Sequence, residues 1–445
     1  MGDTRLLLDV NSGSLHQLDE VAWELLDLYP GPEPREIISR LGGRFREEEL
    51  VEALAELDAL REGGTFLSAG LPGPVPTGSR VVKALCLHVA HDCNLRCSYC
   101  FAGNGAFGGK PALMDGEVAR AAVDFLVAAS GSRKFCEIDF FGGEPLLNWP
   151  VIVETVEYAR SREAKTGKAF RFTLTTNATL LRRSMLPFLN REMSNLVLSL
   201  DGRPEVHDRL RRGVGGKGSY QQALSRIRWV VESRGGKSYY IRGTFTRYNL
   251  DFSADVLYLA DLGFTRLSIE PVVAPPEEHY ALRPEDLPIL EEEYERLALA
   301  SLQREMEGRP FFFFHFHVDL QQGPCLPRRQ AGCGAGVDYL AVSPAGDLYP
   351  CHQFMGRRGF RLGSVWSGVT EAGLSARFLK ANLFSKQGCP ECWARYLCGG
   401  GCHANAHLIN GDLLVPDSLG CALQRKRLEC ALYLQAMKAK QETFL

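Results

Sequence analysis

From Ala84 onward, short apolar runs alternate with longer amphipathic stretches. Strand-like runs fall at Ala84–Ala90, Glu137–Phe141, Phe170–Thr176, Leu196–Leu200, Tyr239–Thr246 and Arg266–Glu270. Helical spacing falls at Asp115–Ala129, Pro150–Lys165, Arg182–Asn190, Tyr220–Arg234, Ser253–Leu262 and Pro284–Met306. Strand–helix alternation of this kind predicts an α/β fold with a parallel sheet. Six repeats fit a partial (β/α)6 barrel, whose ligands should gather at the C-terminal strand ends.

Three further segments flank this core. Residues 1–67 read as a small module. Arg5–Val10 and Ser14–Leu18 are short strands joined by a turn at Asn11-Ser12-Gly13. Helices follow at Asp19–Leu28, Pro34–Leu41 and Glu47–Arg61, and Thr65–Leu67 is expected to return as a strand. This order resembles the winged-helix peptide-recognition element of enzymes that modify ribosomally made peptides; a generic N-terminal cap fits the same pattern. Residues 68–80, with Leu71-Pro72-Gly73-Pro74, form a linker before the barrel at 81–322. From Gly323 the helical periodicity fades and Gly, Pro and Cys rise, so 323–425 reads as a second, irregular and metal-rich domain. Residues 426–445 continue a final helix, Leu423–Lys440.

The 445 residues are 45% hydrophobic and 23% charged, the balance of a globular protein. A net charge of −2 suggests neither a nucleic-acid nor an anionic-membrane partner. Leu6-Leu7-Leu8 is too short for a signal-peptide core, and no apolar run nears the ~20 residues of a membrane helix. A cytoplasmic location is the expectation. In that compartment fourteen cysteines point to metal or catalysis rather than disulfides.

The first cluster of them is Cys93-Asn94-Leu95-Arg96-Cys97-Ser98-Tyr99-Cys100, just after the first strand. Three thiolates can hold three irons of a [4Fe–4S] cube and leave the fourth open. A disulfide cluster or a zinc site would use the same residue type, though structural zinc prefers four protein ligands. The spacing and the aromatic Tyr99 resemble the radical S-adenosylmethionine superfamily. In that family the open iron chelates S-adenosylmethionine, and reductive cleavage gives a 5′-deoxyadenosyl radical. Gly142-Gly143-Glu144-Pro145, after the second strand, resembles its GGE motif, in which the carboxylate meets the methionyl amine. As a bare string it would equally be a tight turn. By the same resemblance Ser199 and Asp201 lie near the ribose, Arg242 near the methionyl carboxylate, and Tyr99 packs on adenine. Asn177 and Glu270 add polar groups at neighbouring strand ends. For each of these single residues a satisfied turn or surface pair is the competing account.

The C-terminal cysteines run Cys333-x12-Gly346-x4-Cys351, then Cys389-x2-Cys392-x5-Cys398-x3-Cys402, then Cys421. The pattern resembles SPASM domains, which carry two auxiliary [4Fe–4S] clusters. The resemblance gives Cys389, Cys392, Cys398 and Cys421 to one cluster. It gives Cys333, Cys351 and Cys402 to the other, with Cys325 the candidate fourth ligand. Zinc suits S4 sites as well, but seven or eight thiolates divided between two centres favour clusters. Cys86, Cys136 and Cys430 read as buried structural thiols.

Longer strings narrow the resemblance. Leu85–Cys93, Glu137–Phe141, Tyr240–Thr246, Asp347–Phe354 and Leu8–Ser14 look like the maturases of SCIFF peptides, those with six cysteines in forty-five residues. Such enzymes join a peptide cysteine sulfur to a carbon of another residue, usually a threonine. The resemblance implies three [4Fe–4S] clusters, S-adenosylmethionine, a cysteine-rich precursor peptide with a leader, and an external one-electron donor of flavodoxin or ferredoxin type. Enzymes that oxidise a sulfatase cysteine or serine place Asp after the ligand corresponding to Cys351; here His352 stands there, a candidate base. Another SPASM peptide oxidase, such as a formylglycine-forming enzyme, is the rival within the class. A multi-cluster electron carrier and a zinc scaffold are the rivals outside it.

Overall fold

The computed structural model describes residues 4–70, 81–320, 330 and 332–443. Its centre is a mostly parallel sheet built in the order of the chain. β3 (Ala84–His91), β6 (Phe135–Gly142), β7 (Ala169–Thr176), β8 (Met193–Ser199), β10 (Ser238–Phe245) and β11 (Arg266–Pro271) lie side by side, all parallel. Helices α4 (Gly116–Ala129), α5 (Trp149–Thr166), α6 (Leu186–Glu192), α8 (Tyr220–Ser233), α9 (Phe252–Asp261) and α10 (Leu287–Met306) connect them or follow them. The six expected repeats are thus present, with boundaries moved by a few residues. Among the described residues the sheet stays open, as a partial barrel does: β12 (Phe312–Phe313) ends one side and β16 (Gly368–Val369) the other.

Period-two alternation sorts each strand between two environments. Leu85, Leu87, Val89, Ile138, Phe140, Phe172, Leu174, Leu196, Leu198, Ile241 and Ile269 are buried in the core shared with the helices. Their neighbours Asp139, Thr173, Asn195, Ser199, Arg242 and Glu270 occupy the opposite, concave face. A sheet face this polar needs a partner other than a hydrophobic layer.

Two short pairings lie off the sequential order. β4 (Leu95–Cys97), inside the cysteine triplet, pairs antiparallel with β9 (Arg211–Gly213), which follows α7 (Pro204–Leu210). β5 (Ala112–Leu113) pairs with the end of β3. A larger departure lies at the C-terminal domain. β13 (Tyr339–Val342) joins the central sheet parallel to β3, with Cys86 opposite Ala341, and β14 (Asp347–Tyr349), β15 (Gly363–Ser364) and β16 continue it antiparallel. The cysteine-rich segment is therefore partly an extension of the barrel sheet. The closing helix is longer than expected, Ser418–Thr443, and includes Cys421.

In the N-terminal module β1 (Arg5–Leu8) and β2 (Leu15–Leu18) form a hairpin over α1 (Glu20–Leu25), α2 (Pro34–Leu41) and α3 (Glu47–Glu62). Leu25, Ile37, Leu50, Leu54, Leu57 and Phe66 close a separate small core. The expected returning strand Thr65–Leu67 does not form; the segment bends there. Side chains hold it instead of a ladder. His16 Nε2 lies 2.8 Å from the Thr65 carbonyl, Asn11 donates to Ser68 O (2.9 Å), and Ser68 N donates to Asp9 (3.0 Å). The linker residues 71–80 and Cys325 lie outside the described residues.

Candidate active site

The three triplet thiols sit at the end of β3, held by backbone from three directions. Cys93 N donates to Asp92 Oδ1 (2.8 Å), the Leu95 N–H points at Cys93 Sγ (3.4 Å), and Ser98 N donates to Leu210 O (2.9 Å). Burial pushes Cys93 up to about 12, and the neighbouring Cys97 and Cys100 push it further the same way. Cys97 rises to about 11, from burial against the pull of Arg211. Unpaired, Cys93 and Cys97 stay protonated. As thiolates they need a cationic, soft partner between them.

The Gly142–Glu144 turn lies against this loop. The amides of Gly143 and Glu144 continue the ladder along β3 and past its end, where Gly143 N donates to Ala90 O (2.8 Å) and Glu144 N to Asp92 O (2.9 Å). A Cβ at Gly143 would sit 2.2 Å from Asp92 O and 2.9 Å from Gly105 Cα, so only glycine allows the approach. Glu144 is fully buried. It accepts from Leu146 N (3.0 Å), Thr176 Oγ1 (2.6 Å) and Asn177 N (2.8 Å), and burial still raises it to about 7. Among the described residues no Lys or Arg forms an ion pair with it. A buried carboxylate held by neutral donors alone fits an incoming ammonium, such as a methionyl amine. Asn177 bridges this carboxylate to the triplet loop, its amide donating to Asn94 Oδ1 (3.0 Å).

Asp201, just after the fourth strand, is tied to protein groups. It is fully buried, and its oxygens are taken by Arg211 Nε (3.0 Å to each), the Tyr99 hydroxyl (2.7 Å) and Thr244 N (3.1 Å). Tyr99 is thereby pinned through its hydroxyl, with the Arg211 guanidinium 5.4 Å from its ring centroid. Arg211 was invisible in the sequence, inside a Gly-rich stretch without strand character. Its position on β9 beside β4 makes it the bolt between Cys97 and the fourth strand end. Ser199, at that strand end, is half-buried with no hydrogen-bond partner among the described residues.

Across the concave face Arg242 pairs with Glu270 (2.9 Å). Burial would raise the Glu270 carboxyl, but Arg242, His315 and Arg427 outweigh it and hold the group low. His315 Nδ1 lies 3.0 Å from Arg427 Nη1, so the C-terminal helix reaches into the barrel. His352 lies between this pair and the triplet, its ring 5.1 Å from Phe141 and 5.7 Å from Phe101. Burial, with Arg242 beside it, lowers it to about 4, so the ring is neutral at pH 7. His88, on β3, is wholly buried against Phe107 and Phe141, and its Nε2 has no partner.

The C-terminal thiols fall into two further groups. Cys351 rises to about 12 through burial, with Cys402 and Cys333 adding to it. Cys421 rises to about 11 through burial, then Cys398 and Cys389, and Cys389 in turn meets Cys392. Among the described residues no three His, Cys, Asp or Glu side chains converge on a single-ion site, so the thiols are grouped rather than gathered at a point. A small shared core of Cys86, Ala102, Phe107, Ala341 and Met355 ties the triplet loop to the Cys351 loop. There Gly356 passes under Phe107 O, only 2.4 Å from where a Cβ would stand. Cys86, Cys136 and Cys430 are buried, with Cys86 in the core shared by the triplet and Cys351 loops.

Residues 87–250 match the model of the Radical SAM superfamily. The match implies S-adenosylmethionine and a [4Fe–4S] cluster. A cysteine-type anaerobic sulfatase-maturating enzyme of Clostridium novyi is 24% identical over 71% of this chain and 86% of its own. The structure of native anSMEcpe with bound AdoMet superposes with a TM-score of 0.67 at 21% identity, covering 80% of this chain and 99% of that one. Streptococcus suis SuiB bound to precursor peptide SuiA superposes at 0.54 and 15% identity, covering 94% and 98%. These likenesses establish the fold.

Proposed function

We propose that this radical SAM protein modifies a ribosomally made, cysteine-rich precursor peptide of the SCIFF type. It would form an intramolecular thioether between a cysteine sulfur and a carbon of an acceptor residue, threonine in the first instance. The observation that carries the reading is the pairing of β13 with β3. That pairing brings the Cys351 loop, with Cys402 and Cys333 near Cys351, against the loop that carries Cys93, Cys97 and Cys100, which supports reading them as a second three-thiol ligand set. Three thiols on a cluster leave one position for a substrate thiol.

S-adenosylmethionine on a [4Fe–4S] cluster supplies, when bound, a 5′-deoxyadenosyl radical able to take hydrogen from unactivated carbon. The chain's residues do the rest. Cys93, Cys97 and Cys100 hold the cluster, Glu144 meets the methionyl ammonium, and Ser199 and Arg242 offer polar contacts at neighbouring strand ends. Asp201, with Arg211, fixes Tyr99. Forming the C–S bond sheds a hydrogen atom, which the 5′-deoxyadenosyl radical would take. It also sheds a proton, for which His352 beside Cys351 is the candidate base, and an electron, which the cluster that Cys333, Cys351 and Cys402 would hold is there to accept. The residues of the N-terminal module would take the leader, and a flavodoxin- or ferredoxin-type donor would supply electrons. Cys389, Cys392, Cys398 and Cys421 hold a third cluster further out.

The test is anaerobic turnover of a cysteine-containing precursor peptide with S-adenosylmethionine and reductant. The expected product is lighter by two hydrogens and has lost one alkylatable thiol. The likeness to the sulfatase-maturating enzyme of Clostridium novyi favours a second reading, oxidation of a peptide cysteine to formylglycine. That reaction removes the sulfur, so the product mass separates the two. An unchanged peptide alongside abundant 5′-deoxyadenosine would reject both.

A further inference from the structure

Lys386 is wholly buried, 1% exposed, in the turn before Cys389. Its ammonium donates to Gly400 O (2.6 Å) and more loosely to Gly401 O (3.3 Å), the carbonyls between Cys398 and Cys402. Gly400 is so close that a Cβ there would stand 3.3 Å from Lys386 Cδ. Among the described residues no carboxylate pairs with it, whereas the other lysine with a largely buried side chain, Lys426, has Glu295 and Glu429. A buried ammonium held by carbonyls alone is expensive unless an anion lies near. Burial pulls the ammonium down, and the groups that oppose this are cysteines of both C-terminal sets, Cys389 and Cys398 of one and Cys402 and Cys333 of the other, which would carry negative charge once they hold clusters. The lysine is therefore a single positive charge placed between two groups that each gather negative charge.

We propose that Lys386 is a positioning residue that sets the reduction potentials of both C-terminal clusters together, its fixed charge favouring the more negative, reduced state of each. The inference rests on the cluster assignment made above. A unit charge a few ångströms away in a poorly solvated site interacts far more strongly than across water, and cluster potentials respond to local charge and hydrogen bonding. Because the charge is shared, neither cluster can be tuned through this residue without the other.

The experiment uses the full chain with Cys93, Cys97 and Cys100 changed to Ala, reconstituted anaerobically, so that only the C-terminal clusters titrate. Midpoint potentials are read by EPR during reductive titration of this parent and of Lys386→Met, Lys386→Gln and Lys386→Arg. Removing the charge should make reduction at least tenfold less favourable at both clusters, about 59 mV each for a one-electron couple, while Lys386→Arg stays near the parent. A shift at only one cluster, or at neither, overturns the proposal. If neither neutral variant retains iron while Lys386→Arg does, the shared charge is required even for loading, which supports it. Loss of iron in all three variants means a packing role and overturns it. A parent that holds zinc in place of iron sinks the cluster assignment itself, a result distinct from unmoved potentials.

Discussion

Replacing Arg211 with Met tests whether the triplet loop is bolted to the barrel through Asp201. Met keeps most of the aliphatic volume and removes the charge. Asp201 then keeps only the Tyr99 hydroxyl and the Thr244 N–H, both neutral, while remaining inaccessible to water. Removing one partner of a buried ion pair costs about 3–5 kcal/mol, mostly from stranding the other charge. For a domain of this size each kcal/mol shifts the melting temperature by about 2–4 °C, so the metal-free chain should lose on the order of 10 °C. The compensating change Asp201→Asn removes the stranded charge, and the double variant should recover about 2 kcal/mol of that loss. The assay is thermal unfolding of the four proteins of the cycle, with the metal-free chain followed anaerobically. A drop of less than about 1 kcal/mol for Arg211→Met, or strictly additive single changes, would refute the account and make Arg211 a bystander. Affinity for S-adenosylmethionine should fall in the single variant, since β9 positions Cys97 through β4.

Changing Cys93, Cys97 and Cys100 together to Ala should abolish 5′-deoxyadenosine formation and remove one third of the iron, read by metal and sulfide analysis per chain. Glu144, raised by burial to about 7, binds a proton more tightly folded than unfolded; its contribution to stability is present below the usual carboxyl range and lost as pH rises through 7. An ammonium ligand favours the ionised form, so affinity for S-adenosylmethionine should climb between pH 6 and about 8 by up to ~tenfold, and Glu144→Gln should abolish the climb in calorimetry. Asp9 lies the other way: burial would raise it, but hydrogen bonds from Ser68 and Ser12 bring it to about 2, so its support is present above the usual Asp value and lost as pH falls through about 2. Asp9→Asn should flatten that acid-side loss in circular dichroism of the chain and loosen the module. Deleting residues 1–67 should weaken leader-peptide binding, measured by fluorescence anisotropy, while uncoupled cleavage of S-adenosylmethionine continues; unchanged leader affinity would reject the module's role.

The barrel was legible because its strands obey a rule that local sequence records. Alternation at Leu85, Leu87 and Val89, or at Ile138 and Phe140, needs no knowledge of distant residues. The returning strand at Thr65–Leu67 was misjudged because apolar residues after Gly63-Gly64 look the same whether they join a ladder or are held by Asn11, Asp9 and His16 side chains. β9 was missed because Arg211-Arg212-Gly213 has no apolar side to give it away, so the partner of Asp201 went unseen too. The entry of β13 into the sheet is a long-range choice between free edges, and Tyr339–Val342 carries no mark of which edge it takes. In the sequence Lys386 is one lysine among many until its burial beside Gly400 and Gly401 is known.

The pairing of β3 with β13 also bears on how the chain comes into being. Leu85 leaves the ribosome long before its neighbour Leu340. At ordinary synthesis rates the intervening stretch of roughly 250 residues takes about 10–50 s to emerge. Throughout that interval the Ala84–Leu87 stretch of β3 lacks its lasting partner on one flank, although β6 can already cover the other. A bare parallel edge is a site for mispairing with other nascent chains. The triplet thiols follow directly on that strand, so they spend the same interval without the Cys351 loop packed over them. Delivery of iron and sulfide to the triplet is then easiest before translation ends, and a ribosome stalled downstream of Gly213 but short of Tyr339 should display a barrel that can be loaded yet remains prone to aggregate.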